Sequence, residues 1–221
     1  DAHASCATTG EDEGCSFNDA NLIVAIDYAA SHGAKIINMS LGGDGNISSQ
    51  LRSAIIRATN AGVLFAISAG NDGAAPTSTE AAEGTVPSEP AIVAGDPAVN
   101  GRVVAVGAVG PSGAMPTYSN RAGPTANFYL LAPGGAGAQN QNLIVAGIDD
   151  DVRQPGGSGN DSDDDGDYWA VSGTSFAAPH VAGALALMLD LFPNITPENA
   201  LLALLESADD YVTTSPDAVL G

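Results

Sequence analysis

Ser175 stands at the position in this sequence that most clearly suggests chemistry. It follows Gly173 and Thr174, at the predicted start of a long helix that runs from Thr174 to about Phe192. The N-terminus of a helix offers unpaired N–H groups and a partial positive charge. That field favours an oxyanion that forms beside a serine nucleophile. The pattern is equally typical of a serine that merely begins a helix, so the local sequence leaves both interpretations open.

Asn71 is the second residue whose placement suggests chemistry. It follows an apolar run, Val63 to Ile67, through the small residues Ser68, Ala69 and Gly70. Open parallel sheets bind ligands beyond the carboxyl ends of their strands, and an amide donates hydrogen bonds without adding charge. The alternative is a turn asparagine, which is common before an Asp-Gly pair such as the one that follows here.

The elements that would position these residues are strands that alternate with helices. Buried strands are predicted at Ile36–Leu41, Val63–Ile67 and Val103–Gly107, and amphipathic helices precede and follow the first of them. Asn18 or Asp19 caps the first helix, and Thr196 caps a final one. Nearly continuous apolar strands joined by helices predict a mainly parallel sheet covered on both faces, a three-layer α/β/α fold. At 221 residues, one domain over 1–221 is sufficient.

Charge and cysteine content limit the environment and the partners. The chain has 26 acidic and 6 basic residues and a net charge of −20, which argues against nucleic acid and anionic membranes as partners and favours cationic ones. Cys6 and Cys15 lie close together in a polar segment, residues 1–16, which favours a disulfide and an oxidising compartment over free thiols. The longest apolar run is too short to cross a bilayer. Asp1 in place of Met indicates a processed or excised piece.

A family resemblance adds to this interpretation. The nucleophile signature of subtilisin-like serine proteases, the subtilases, closely resembles Gly173-Thr174-Ser175-Phe176-Ala177-Ala178-Pro179-His180-Val181-Ala182-Gly183. Ala69-Gly70-Asn71 and Asn38-Met39-Ser40-Leu41-Gly42-Gly43 resemble two further motifs of the family. The resemblance extends over about residues 18–207, and Thr117–Gly134 resembles the secreted autotransporter branch of Gram-negative bacteria.

The resemblance implies a role for each matched residue. Ser175 would be the nucleophile of a serine endopeptidase, and Asn71 would donate to the oxyanion together with the Ser175 N–H. Ser40, Leu41 and Gly42 would pair with an extended substrate backbone, and Ser68, Ala69 and Gly70 would form a wall of the pocket for the residue before the scissile bond. His180 would be a structural helix residue. The family implies a secreted or cell-surface bacterial protein that needs no cofactor for the chemistry.

The general base and its orienting carboxylate have no counterpart in these motifs. A protease of this kind needs both, in the chain order Asp, His, Ser. Of the three histidines, His3 lacks the expected glycine-rich turn and following helix, and His32 ends a helix. Three explanations stay open: a second chain or N-terminal segment of the domain supplies the pair, the boundary falls after it, or the protein is an inactive peptide-binding relative. This chain alone is expected to have little activity.

An acidic run at Asn160–Asp167 suggests a second kind of site. Its alternating carboxylates resemble the first half of a calcium loop. The twelfth position counted from Asp161 is Ser172, so the bidentate Glu is absent. A mobile acidic insertion is the alternative, and calcium binding is a hypothesis.

Overall fold

The computed structural model describes residues 5–6, 15–43, 45–73, 83–137, 141–146 and 168–209. A four-stranded parallel sheet occupies its centre, with strands in the order β3 (Ile36–Met39), β4 (Leu64–Ser68), β5 (Val103–Val109) and β6 (Tyr129–Pro133). Since connections between these strands include helices, the chain builds parallel crossovers as predicted. The expected mainly parallel α/β sheet is confirmed.

Two helices cover each face of the sheet. Helices α1 (Asp19–Ser31) and α2 (Ser49–Asn60) lie on one face, and α3 (Thr174–Leu191) and α4 (Pro197–Ser207) lie on the other. Side chains of β4 alternate between the two layers: Phe65 and Ile67 pack with α2, whereas Leu64 and Ala66 pack with α3. Both faces of the strand are therefore buried, which explains its continuous apolar sequence.

The helix ends follow the capping residues. Asn18 accepts from the Asn21 N–H at 2.9 Å, Ser48 from the Leu51 N–H at 3.1 Å, and Thr196 from the Asn199 N–H at 3.3 Å. Each cap satisfies a donor that the first helical turn leaves unpaired. Of the two caps predicted for α1, Asn18 is the one used, and the predicted Thr196 cap of α4 is confirmed.

Helix α3 is apolar and long enough to pass a length-and-composition test for a membrane span. Its Ala177, Ala178, Val181 and Leu185 are buried against the sheet. These contacts identify it as a core helix of the α/β fold.

Two short strands occur where the sequence predicted a loop. Residues 1–16 were predicted to be a polar loop, but β1 (Ser5–Cys6) and β2 (Cys15–Ser16) form an antiparallel pair in which Cys6 lies opposite Cys15. Opposed residues in such pairs have Cα atoms about 4.5–5.5 Å apart, within the range that a disulfide spans. The disulfide stays a prediction. Strands β7 (Leu143–Ala146) and β8 (Tyr168–Val171) form another antiparallel pair, while the acidic run at 160–167 lies outside the described residues.

Gly107 in β5 lies directly against the aromatic ring of Tyr129 on β6. Tyr129 is buried, and its hydroxyl donates to the Asn120 carbonyl at 2.5 Å. A Cβ atom at Gly107 would overlap the Tyr129 hydroxyl and lie 2.8 Å from Leu131 Cδ2. Only glycine leaves room for this ring, which fixes the loop that leads to Asn120.

We expect Gly107→Ala to lower the free energy of unfolding by about 1–3 kcal/mol, because the added methyl overpacks the sheet. Gly183→Ala is the matched control, since a Cβ there meets nothing within 4 Å. It should raise the free energy of unfolding by about 0.4–1 kcal/mol by restricting the unfolded chain. Urea unfolding measures both, and an unchanged midpoint for Gly107→Ala would contradict the packing argument.

Candidate active site

Ser175 is the second residue of α3 and is half-buried at the mouth of the helix. Gly173 precedes the helix with a φ of 148°, a conformation that side chains rarely adopt. Its N–H donates to the Gly134 carbonyl at 2.8 Å, which fixes the approach of β8 to the helix. A side chain at Gly173 would begin 3.6 Å from Asn71 Nδ2. The helix entrance and the end of β4 are therefore in contact.

Asn71 is held by the residue that precedes the serine. Its Oδ1 accepts from the Thr174 N–H at 2.9 Å and from the Thr174 hydroxyl at 3.0 Å. The Thr174 hydroxyl in turn accepts from the Gly70 N–H at 3.2 Å. Because Oδ1 is fully used by Thr174, the amide nitrogen of Asn71 remains as the donor for a group beside Ser175.

Ser175 and Asn71 border one pocket, which has a volume of about 280 Å³. Its lining is Gly42, Gly43, Ser68, Gly70, Asn71, Asp72, Ser88, Thr174 and Ser175. The two predicted oxyanion residues are thus brought together, and three of the residues predicted to bind substrate, Gly42, Ser68 and Gly70, share the pocket with them. Ala69 is fully buried behind this wall.

The end of β3 provides an open strand edge next to the serine. The Ser40 hydroxyl donates to the Ser175 carbonyl at 2.6 Å, and the Ser68 hydroxyl donates to the Leu41 carbonyl at 3.2 Å. β3 is an edge strand of the described sheet, and no described backbone group receives the N–H groups of Leu41 and Gly42. Such an edge can add an extended peptide as a further strand.

A second pocket lies across Gly42 and Gly43 from the first. It has a volume of about 560 Å³, and its walls include Leu22, Ile47 and Leu51 together with Glu89. Burial raises the pKa of the Glu89 carboxyl above its usual 4.5, opposed by a backbone hydrogen bond from Ile47. Among the described residues, Glu89 Oε2 has no hydrogen-bond partner.

Sequence reasoning missed the residues that support the walls. Asn120 is fully buried; it accepts from the Asp72 N–H at 2.7 Å, and its own N–H donates to the Gly70 carbonyl at 3.1 Å. The Tyr118 hydroxyl lies 2.8 and 2.7 Å from the carbonyls of Gly134 and Gly135. Both residues lie in Thr117–Gly134, a segment for which the family resemblance assigned no role. Their partners are more than 15 positions away or in another loop, so no local pattern reveals them.

Neither histidine of the described residues lines the pocket beside Ser175. His180 is exposed on α3, with Nδ1 2.8 Å from the Phe176 carbonyl, and His32 is exposed at the end of α1, with Nδ1 2.8 Å from the Tyr28 carbonyl. Both have the structural positions that the sequence predicted, and His3 lies outside the described residues. Within the described ranges, no three His, Cys, Asp or Glu side chains converge as a metal site. The arrangement places a serine hydroxyl and an asparagine amide at one pocket, and no histidine of the described residues lines it.

Comparison with known proteins identifies relatives over nearly all of the chain. The sequence model of the Subtilase family matches residues 5–221. The chain is 32% identical over 195 residues to subtilisin amylosacchariticus of Bacillus subtilis subsp. amylosacchariticus, covering 88% of this chain and 40% of that protein. It is 30% identical over 179 residues to an extracellular protease of Xanthomonas campestris pv. campestris, covering 81% of this chain and 25% of that protein.

Solved structures give the same result. The prenylagaramide maturation protease PagA superposes with a TM-score of 0.68 at 28% identity, over 94% of this chain and 64% of that one. A cold-adapted subtilisin-like serine proteinase superposes with a TM-score of 0.64 at 27% identity, over 92% of this chain and 59% of that one. Among the curated relatives, the chain spans 40% of subtilisin amylosacchariticus and 25% of the Xanthomonas protease, well under two thirds of either.

We expect Thr174→Val to lower the free energy of unfolding by about 1–3 kcal/mol, because it leaves the partly buried Gly70 N–H without its acceptor. Thr174→Ser keeps both hydrogen bonds and loses only a methyl group, at about 0.8 kcal/mol. Urea unfolding of the two variants measures the difference. Equal losses would show that the hydroxyl does not hold the strand end.

Glu89→Gln should stabilise the fold more at about pH 8 than at about pH 5. A carboxyl whose pKa is raised in the folded state binds its proton more tightly there, so ionisation opposes folding as the pH rises above 4.5. Gln has no ionisation to oppose folding. The exposed Glu206 on α4 supplies the matched control Glu206→Gln, and a pH-independent difference for Glu89→Gln would contradict the effect of burial.

Proposed function

This chain belongs to the subtilase family, and from that membership we propose that it forms the nucleophile-bearing part of a serine endopeptidase. The substrate is a protein or peptide, and the enzyme acts outside the bacterial cell, in secreted form or at the cell surface. The single observation that carries this proposal is the shared pocket of Ser175 and Asn71, in which Thr174 leaves the Asn71 amide nitrogen available.

The proposed reaction proceeds through an acyl-enzyme. The Ser175 Oγ attacks the carbonyl carbon of the scissile peptide bond, and a base takes the proton of the hydroxyl. The carbonyl oxygen becomes negative and accepts from the Asn71 amide and the Ser175 N–H at the N-terminus of α3. The base then gives its proton to the leaving amine, and water hydrolyses the ester in a second step of the same kind. No cofactor takes part.

The substrate backbone is proposed to lie along Ser40, Leu41 and Gly42. No described backbone group accepts from the N–H groups of Leu41 and Gly42, which therefore serve as donors for an extended peptide. An added strand here would run past the serine, because the Ser40 hydroxyl is bonded to the Ser175 carbonyl. Ser68 and Gly70, with the buried Ala69 behind them, form the opposite wall, so the residue before the scissile bond enters between the two segments.

The base and its carboxylate are proposed to come from a preceding segment of the same domain or from a separate N-terminal chain. The outer face of α3 is apolar and exposed: Leu187 is 65%, Leu191 68% and Phe192 57% accessible. The edge of β3 itself, Ile36–Met39, precedes the stretch assigned to the substrate and offers backbone pairing to such a segment, while the face of α3 offers apolar contact.

An inactive peptide-binding module is the second candidate. The absence of a base from the described residues favours it, because the strand edge and both pockets would bind a peptide without cleaving it. Calcium binding at 160–167, the Cys6–Cys15 disulfide and the autotransporter branch stay predictions and do not affect the choice between the two candidates.

We expect a fluorophosphonate to label the full-length protein at Ser175 and the 221-residue chain alone only weakly, since the described residues of this chain bring no base to the pocket. Asn71→Ala in the full-length protein should lower turnover by about 10²–10³, a factor taken from the loss of the corresponding donor in a subtilisin rather than derived for this chain. Mass spectrometry of the labelled peptide and initial-rate kinetics measure the two effects.

Ser175→Ala should abolish labelling, and Ser53→Ala on α2 is the matched control that should not change it. A full-length protein that binds peptide but never labels at Ser175 would establish the peptide-binding module. Labelling with no loss of turnover in Asn71→Ala would remove the oxyanion role and leave the nucleophile.

A further inference from the structure

We infer that Asp72 makes the pocket beside Ser175 selective for a Lys or Arg side chain on the substrate residue before the scissile bond. This inference rests on the proposed function, because it assigns the substrate class to the same site. Asp72 is the only ionisable side chain among the nine residues that line the pocket. The volume of about 280 Å³ accommodates one long side chain.

The lining of the pocket is polar and small. Three glycines, three hydroxyl side chains other than Ser175, and the amide of Asn71 surround the space next to Asp72. No large apolar side chain faces it, so an apolar substrate residue would lose water without gaining packing. A cationic side chain keeps hydrogen-bond partners along such walls and meets a carboxylate.

Asp72 is fixed by a network anchored in the core. The Ser88 hydroxyl and the Asn120 amide nitrogen both lie 3.3 Å from Asp72 Oδ2, and Asn120 Nδ2 donates to the Ser88 hydroxyl at 3.0 Å. The Asn120 side chain also receives the Asp72 N–H. In the described part of the chain these contacts engage Oδ2, and a carboxylate has further lone pairs for a substrate cation. A second oxygen is therefore available in a fixed position.

Gly70 keeps the passage to this carboxylate open. Its φ of 106° is a conformation that side chains rarely adopt. A Cβ atom at Gly70 would overlap the Ser88 hydroxyl and lie 2.5 Å from Asn120 Nδ2. The wall thus needs glycine both for its backbone conformation and for the contact of Ser88 and Asn120 behind it.

No described cation of the protein competes for Asp72. Arg52, Arg57 and Arg102 are paired with Asp96, Asp27 and Glu198. Arg121 donates to the Met115 sulfur at 2.8 Å, and Lys35 is exposed just before β3. Within the described residues, Asp72 is in no ion pair. The sequence from Asp72 to Gly101 contains no Lys or Arg at all. With a net charge of −20, the protein also attracts cationic peptides from a distance.

The neighbouring pocket of about 560 Å³ has a different chemistry. Leu22, Ile47 and Leu51 contribute apolar walls, and Gly42 and Gly43 separate it from the Asp72 pocket. Apolar substrate residues upstream of the scissile bond fit there. An extended substrate would therefore place a cationic residue in the Asp72 pocket and an apolar residue in the larger one.

The test uses the full-length protein and two peptides that differ only in the residue before the scissile bond, Lys in one and norleucine in the other. These side chains have similar length, so the comparison isolates the charge. We expect kcat/KM to be about 10- to 100-fold higher for Lys. Asp72→Asn should reduce this ratio to near one by slowing the Lys peptide, with the norleucine peptide little changed.

Asp190→Asn is the matched control, since it removes the same charge roughly 22 Å along α3 from Ser175 at 1.5 Å per residue. It should keep the preference for Lys. Fluorophosphonate labelling of Ser175 is measured in parallel on every variant. A labelled, active enzyme that does not prefer Lys, or a preference that survives Asp72→Asn, overturns the inference and leaves the proposed function intact. Failure to label and to cleave any peptide overturns both.

Discussion

The site depends on the two hydrogen bonds that Thr174 gives to Asn71. They join the first turn of α3 to the end of β4, and through the Thr174 hydroxyl they also fix the Gly70 N–H. Because they occupy Oδ1, they determine which end of the Asn71 amide remains free. A helix N-terminus and a strand end are common features of any α/β fold. The contact between Thr174 and Asn71 joins the helix N-terminus and the strand end into one site.

The sequence predicts the parts of the fold that depend on local patterns. β4 and α3 are identified by continuous apolar runs, and the starts of α1 and α4 by residues that satisfy the first helical turn. Ser175 and Asn71 are predicted for a different reason: each belongs to a motif whose residues are adjacent in the chain. Their shared pocket then follows from placing a strand end and a helix mouth at one edge of a parallel sheet.

The remaining features depend on contacts between distant segments. Strand β6 carries Tyr129, whose place is set by Gly107 on β5, and a glycine within a strand predicts no partner by itself. The pocket floor joins Asp72, Ser88 and Asn120, which lie 16 and 32 positions apart in successive loops. The ladder between β1 and β2 has only two residues in each strand, too few for an alternating pattern. The Tyr129–Gly107 contact, the network of Asp72 and the β1–β2 pair all depend on tertiary packing, so local sequence patterns do not predict them.

The same features explain how a site can be well formed while its chemistry is incomplete. The Asn71 amide, the strand edge and the network of Asp72 and Asn120 are supported by the first turn of α3, by the sheet and by the loops that follow β4, β5 and β6. None of these contacts needs the base. The base instead has to reach a serine whose helix exposes an apolar outer face, with Leu187 and Leu191 uncovered. The shape of the pocket therefore does not depend on the group that would complete its chemistry.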